Sequence, residues 1–331
     1  MSLLVDRFGR DHTYLRISLT ERCNFQCLYC LPPEGLPDTP PPASHCSDQE
    51  ILRLVEMFVS LGIRKVRLSG GEPLLRKDAA KLVAEIRQRF SIPVYITTNG
   101  SLLKQYLPQL KEAGISGINL SLDTLNRDKF HYVTQSRSFD RVLEAAFLTA
   151  TLEIPLKLNA VVQEDYVTQE AIDLIELGKK LKAEVRFIEF MPLCGSAWNN
   201  GGVGRIVQLE EELIDYFQLS HFQQGEVAHT YDADEGRCRV GFISSLSKPF
   251  CSHCNRIRLS CTGFLMPCLF SRTGTDLLTP LRQGASNEEL VRLMKENVLE
   301  KTKAHGSNED IDFKTLQDSH QVTGLIHQIG G

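Results

Sequence analysis

Over its first 190 or so residues the chain alternates short β-type runs with longer helix-type runs, and that alternation leaves few folds open. The strand-like runs are Tyr14–Leu19, Val66–Ser69, Val94–Thr98, Ile118–Leu122, Leu156–Val162 and Glu184–Phe190. Between them the spacing predicts helices over Asp48–Leu61, Asp78–Phe90, Leu102–Ala113, Phe139–Leu152 and Gln169–Leu181. Ser47 with Glu50 three residues later reads as the cap of the first helix. Strands joined by helices have to be parallel, because an antiparallel pair needs only a tight turn. Each strand runs into polar, Gly-rich or Cys-rich sequence, so the chemistry is expected at strand carboxyl ends. Six units are too few to close an eight-stranded barrel. The expected fold is therefore α/β, a partial, open TIM-like barrel of about six βα units over residues 1–207. A C-terminal region, 208–331, is expected to cover the open side, ending in a weakly patterned polar tail from His305 to Gly331.

Composition excludes several classes. Net charge is −4, which argues against a general nucleic-acid-binding protein, although a phosphorylated small molecule needs only a few local cations. No apolar run approaches membrane-spanning length, and Met1–Arg10 lacks a signal-peptide pattern. The expectation is a cytoplasmic protein, or one of the mitochondrial matrix in a eukaryotic host.

Six of the ten cysteines fall into two groups, Cys23, Cys27 and Cys30 near one end and Cys251, Cys254 and Cys268 near the other. Cys46, Cys194 and Cys238 are scattered and read as small buried apolar residues. The first group has spacing C-x3-C-x2-C directly after a strand, with Tyr29 before the third cysteine. Three thiolates on a four-iron cluster leave one iron open to a ligand, whereas a structural zinc site favours four ligands. This loop resembles that of the radical S-adenosylmethionine superfamily. Gly70-Gly71-Glu72-Pro73 follows the next strand, and in that superfamily this segment meets the amino-acid end of the cofactor.

From spacing alone the second group, C-x2-C-x13-C with Cys261 in between, suits zinc about as well as iron. The run Cys251-Ser252-His253-Cys254-Asn255-Arg256-Ile257-Arg258-Leu259 with the later Cys268-Leu269-Phe270 resembles the GTP 3′,8-cyclase family of molybdenum cofactor biosynthesis. The likeness extends from Asp6-Arg7-Phe8-Gly9-Arg10, through Lys65-Val66-Arg67-Leu68 and Arg186-Phe187-Ile188-Glu189-Phe190-Met191-Pro192, to the terminal Gly330-Gly331. The resemblance implies two [4Fe-4S] clusters, one on each triad, with the second cluster's open iron meeting guanine. Cys261 departs from the pattern and is expected to be a spectator.

The same resemblance implies Tyr29, Gly71, Ser121 and Met191 at the S-adenosylmethionine site, and Arg16, Arg67, Thr98, Lys157, Arg256 and Arg258 at GTP. Arg16, Arg67 and Lys157 lie on strands, where period-two alternation can aim them together. The implied reaction starts with a 5′-deoxyadenosyl radical that takes hydrogen from ribose C3′. Ring closure onto guanine C8 then gives 3′,8-cyclo-7,8-dihydro-GTP. Arg256 and Arg258 are expected to assist late steps, and the Gly330-Gly331 tail to enter the active site, so that deleting both glycines abolishes turnover with both clusters retained. Expected partners are GTP, an electron donor and, downstream, cyclic pyranopterin monophosphate synthase, with a homodimer as one assembly. The competing readings are a peptide-modifying radical enzyme with two clusters, and a non-catalytic redox or zinc module.

Overall fold

A computed structural model describes residues 3–30, 44–191, 204–219, 222–224, 227–233, 238–271 and 274–304. The Pro32–Pro42 loop, Cys194, and Gly330 with Gly331 lie outside the described residues. The βα series is as expected: β1 (Tyr14–Ser18), α1 (Asp48–Ser60), β2 (Lys65–Ser69), α2 (Ala79–Phe90), β3 (Val94–Thr98), α3 (Leu103–Glu112) and β4 (Gly117–Ser121). It continues with α4 (Arg127–Thr134), α5 (Phe139–Thr151), β5 (Leu156–Val162), α6 (Thr168–Leu181) and β6 (Glu184–Glu189). Ser47 and Glu50 form a reciprocal capping box that starts α1. Helix α4 is an addition to the sequence reading. It is short, only Phe130, Val133 and Thr134 are buried, and the cap is the Asn126 side chain, so its apolar pattern is too brief to register.

The rest of the chain comprises α7 (Arg205–Phe217), β7 (Phe222–Gln224), β8 (His229–Asp232), β9 (Arg239–Ile243), β10 (Arg256–Leu259), β11 (Phe264–Met266), β12 (Thr275–Asp276), α8 (Leu278–Arg282) and α9 (Asn287–Leu299). It builds the edges of the sheet. Among the described residues the order is β12-β11-β10-β1-β2-β3-β4-β5-β6-β9-β8-β7, an open sheet whose outer strands do not meet. Both β10, beside β1, and β9, beside β6, run parallel to the core strands, and antiparallel pairs finish each edge.

The two faces of the sheet differ sharply. Leu15, Ile17, Val66, Leu68, Val94, Ile96, Leu120, Leu158, Val185, Phe187 and Ile257 are buried on the face that carries the helices. Residues of the opposite parity are mostly polar or charged, Val161 and Ile188 being apolar. A one-residue register slip would exchange the two sets, so the buried face pins the polar one in place.

Candidate active site

Parallel strands in register stack residues of equal parity side by side. Arg258, Arg16 and Arg67 are direct neighbours across β10, β1 and β2, and one step earlier Arg256, Tyr14 and Lys65 are likewise. On the far side Asn119 faces Lys157 and Asn159 faces Arg186. These residues line a cavity of about 360 Å³. It takes cations from Arg16, Lys65, Arg67, Lys157, Arg186, Arg256, Arg258 and Lys301, together with Cys251, Cys254 and Cys268. A second cavity of about 200 Å³ holds Cys23, Cys27, Cys30, Tyr29, Gly71, Ser121 and Met191. Thr97, Asn159, Ile188 and Met191 line both, so the cavities adjoin.

The first cysteine loop is clamped from three sides. Backbone N–H groups of Gln26 and Leu28 donate to the Thr134 and Val133 carbonyls at the end of α4, and Phe25 packs edge-on against Phe130. Asn99 donates from Nδ2 to the Cys23 sulfur at 3.8 Å and to Asn24 at 2.9 Å. The Gly-Gly segment lies directly on the loop: Gly71 N–H donates to the Thr20 carbonyl at 2.7 Å, and Glu72 N–H to that of Arg22 at 2.8 Å. A Cβ at position 71 would stand 2.2 Å from the Arg22 carbonyl oxygen, so only glycine allows this approach. Glu72 is fully buried, accepts from Thr98, Asn99 and Leu74, and is pushed up by burial to about 7. Tyr29 donates its hydroxyl to Asp123 at 2.9 Å, and burial lifts that carboxyl to about 6. Burial raises all three thiols, Cys23 to about 11 and Cys30 to about 12. Such groups stay protonated until a metal displaces the proton.

The second triad sits under the cations. Arg10, held by Asp6, donates to the Cys251 carbonyl at 2.7 Å, which gives the Asp6–Arg10 motif a structural task. Lys301 donates to the Arg256 carbonyl at 2.6 Å and to the Cys254 sulfur at 3.5 Å. Against burial, which raises it, Lys301 and Arg256 hold the Cys254 thiol below its ordinary range. Burial and the neighbouring guanidinium groups push Arg16 well down and Arg258 to about 10. Nε and a terminal nitrogen of Arg256 are buried without a hydrogen-bond partner. Crowded cations with unspent donors are complementary to a polyanion.

Tyr29, Gly71, Ser121 and Met191 line the first-triad cavity, and Arg16, Arg67, Lys157, Arg256 and Arg258 line the cation cavity. Thr98 is the exception within the GTP set. It lines the first-triad cavity and gives its hydroxyl to Glu72, because its parity is opposite to that of Thr97, which faces the cations. Sequence reasoning did not single out Lys65, Arg186, Lys301 or Asp123 as site residues. Parity could have found Lys65, two residues before Arg67, and Arg186, whereas Lys301 follows α9 with no motif around it. Arg186 and Lys157 share the Glu184 carboxylate.

Two family profiles divide the chain, the Radical SAM superfamily over residues 17–178 and Molybdenum Cofactor Synthesis C over 183–307. A GTP 3′,8-cyclase of Desulforamulus reducens is 36% identical over 99% of this chain and 100% of its own length. The mitochondrial GTP 3′,8-cyclase of Arabidopsis thaliana is 40% identical over 93% of this chain and 80% of the relative. This chain belongs to the GTP 3′,8-cyclase family. Other family members are longer: it spans about half of the Dictyostelium discoideum molybdenum cofactor biosynthesis protein 1, 38% identical over 93% of this chain and 50% of that one. Streptococcus suis SuiB bound to S-adenosylmethionine shares the fold, with a TM-score of 0.65 over 80% of this chain and 63% of SuiB at 16% identity.

Membership in this radical S-adenosylmethionine family implies an iron–sulfur cluster, and the donor set fits one: Cys23, Cys27 and Cys30 line one cavity with buried thiols that give up their protons to a metal. Cys261 joins neither triad; it is buried beside Glu21 and His45. Among the described residues no helix is long and apolar enough to cross a membrane.

Proposed function

We propose that this chain converts GTP to 3′,8-cyclo-7,8-dihydro-GTP, the first step of molybdenum cofactor biosynthesis. One observation carries the reading: a cysteine-triad cavity opens into a second cavity that combines another triad with eight cations. Cys23, Cys27 and Cys30 would hold one four-iron cluster, and Cys251, Cys254 and Cys268 a second. Tyr29, Gly71, Ser121 and Met191 would hold S-adenosylmethionine. When bound, the first cluster and S-adenosylmethionine supply a carbon-centred radical able to take hydrogen from an unactivated carbon.

The protein's own residues do the remaining work. Arg16, Arg67, Lys157, Arg256 and Arg258, joined by Lys65 and Arg186, bind the triphosphate, whose charge relieves their mutual repulsion. Holding that end fixes the ribose near Thr97, Asn159, Ile188 and Met191, where the cavities meet. Asp123 orients Tyr29, and Glu72 locks the end of β3 to the loop before Cys23. Apolar walls from Ile188, Ile243, Phe250 and Phe270 keep water from a reactive intermediate. The product passes to cyclic pyranopterin monophosphate synthase, and an electron donor renews the reduced state. Anaerobically purified protein should carry about eight irons if each triad holds a four-iron cluster, and should consume GTP and S-adenosylmethionine together. Tightly held zinc in the triads, without acid-labile sulfide, would remove the proposal.

A further inference from the structure

Outside both cavities three chemically different donors converge. Glu21 lies in the loop leaving β1, His45 just ahead of α1, and Cys261 two residues after β10. One ligand atom of each lies within 4.8 Å of the other two. Glu21 is 5% exposed and Cys261 1%, with His45 half-buried at the solvent side. The Cys46 N–H donates to the Cys261 carbonyl at 2.7 Å, which fixes the His45 segment against the turn after β10. Two donors are unspent: Glu21 Oε2 and His45 Nε2 are buried with no hydrogen-bond partner. Native proteins seldom leave such atoms unmatched without a ligand to meet them.

We propose that Glu21, His45 and Cys261, with a water molecule as the fourth ligand, bind a single zinc-type divalent ion, distinct from the metal centres of the two triads, that ties these three segments together. One carboxylate, one imidazole and one thiolate form a donor set of intermediate softness, which suits zinc and excludes calcium and magnesium. Zinc at about 2.0–2.3 Å from each donor separates neighbouring donors by roughly 3.3–3.8 Å, so side-chain movement of about 1 Å closes the site. Cys261 releases its thiol proton to solvent on binding. Burial, with Arg76 nearby, holds the imidazole of His45 below its ordinary range and so in the neutral, ligating form. None of the three residues lines either cavity, so the ion's role is structural. It joins the stretch two residues ahead of Cys23 to the strand that carries Arg256 and Arg258.

The test is elemental analysis of anaerobically purified holoenzyme, with zinc K-edge X-ray absorption to count sulfur neighbours. The expected result is about one zinc per chain beside the iron, with a single sulfur and otherwise nitrogen and oxygen ligands. Cys261→Ala and His45→Gln each lose that zinc and keep the wild-type iron content. His45→Gln, at a half-buried position, keeps the question answerable where Cys261→Ala does not fold. Wild-type protein without bound zinc after equilibration with zinc overturns the proposal. So does zinc with three sulfur neighbours, which places it in a cysteine triad, or zinc that persists in both variants. Because iron is read separately, failure here leaves the GTP reaction standing.

Discussion

Replacing Arg256 by alanine separates a substrate-binding role from a structural one by the sign of two effects. Its side chain has two buried nitrogens without partners and stacks on Phe250 at 4.6 Å. If GTP supplies those missing acceptors, the variant loses one or two charge-assisted hydrogen bonds worth about 1.5–3 kcal/mol, or roughly 10- to 150-fold in Kd. The free protein responds differently. Arg256 is among the charges that depress both Arg16 and Arg258, so its removal relieves repulsion there. Loss of the Phe250 contact offsets this by about 0.5–1 kcal/mol, and the melting temperature should stay within about 2 °C of wild type. Arg256→Lys keeps the charge but lacks the planar fork, and should recover only part of the affinity. Anaerobic calorimetric titration with GTP, without S-adenosylmethionine, reads the first effect, and thermal unfolding the second. GTP affinity within about twofold of wild type in Arg256→Ala would refute the assignment.

Cys23→Ser should abolish 5′-deoxyadenosine formation and leave about four irons on the other triad, whereas Cys268→Ser should mainly weaken GTP binding; iron assay and chromatography distinguish them. Gly71→Ala sets a Cβ against the Arg22 carbonyl and pushes the loop carrying Cys23 away from the Gly-Gly segment, so iron content and S-adenosylmethionine binding should fall together while GTP binding holds. Burial, with Lys301 close by, pushes the His12 imidazole down to about 4 from an ordinary 6.5. Its contribution to stability is therefore complete above the unfolded value and is lost as pH falls toward the folded one. Between about pH 7.5 and about 5.5 this amounts to about 1 kcal/mol. Urea midpoints should decline less steeply with acid in His12→Gln than in wild type, and equal slopes would contradict this.

Much of the site could be read from the amino-acid order because its parts are local. Both triads and the Gly-Gly segment are short motifs, and strand parity follows from alternation within five to seven residues. The partners of Asp123 and Glu72 were hidden because burial brings them from afar: Tyr29 is 94 residues from Asp123, and Asn99 is 27 from Glu72. Thr98 lines the first-triad cavity and Thr97 faces the cations, a difference of one residue of parity that the strand's end register alone decides.

By itself the sequence determined the βα order, the buried face of each strand and the two sets of sulfur donors, since each depends on periodicity or spacing along the backbone. Only the tertiary structure decided that β9 and β10 would dock on opposite edges of one open sheet. That docking brings Arg256 and Arg258 into register with Tyr14 and Arg16, some 240 residues away in the chain. Long-range pairing of this kind arises from the burial of apolar strand faces and from unpaired edge hydrogen bonds, which no short window of sequence contains.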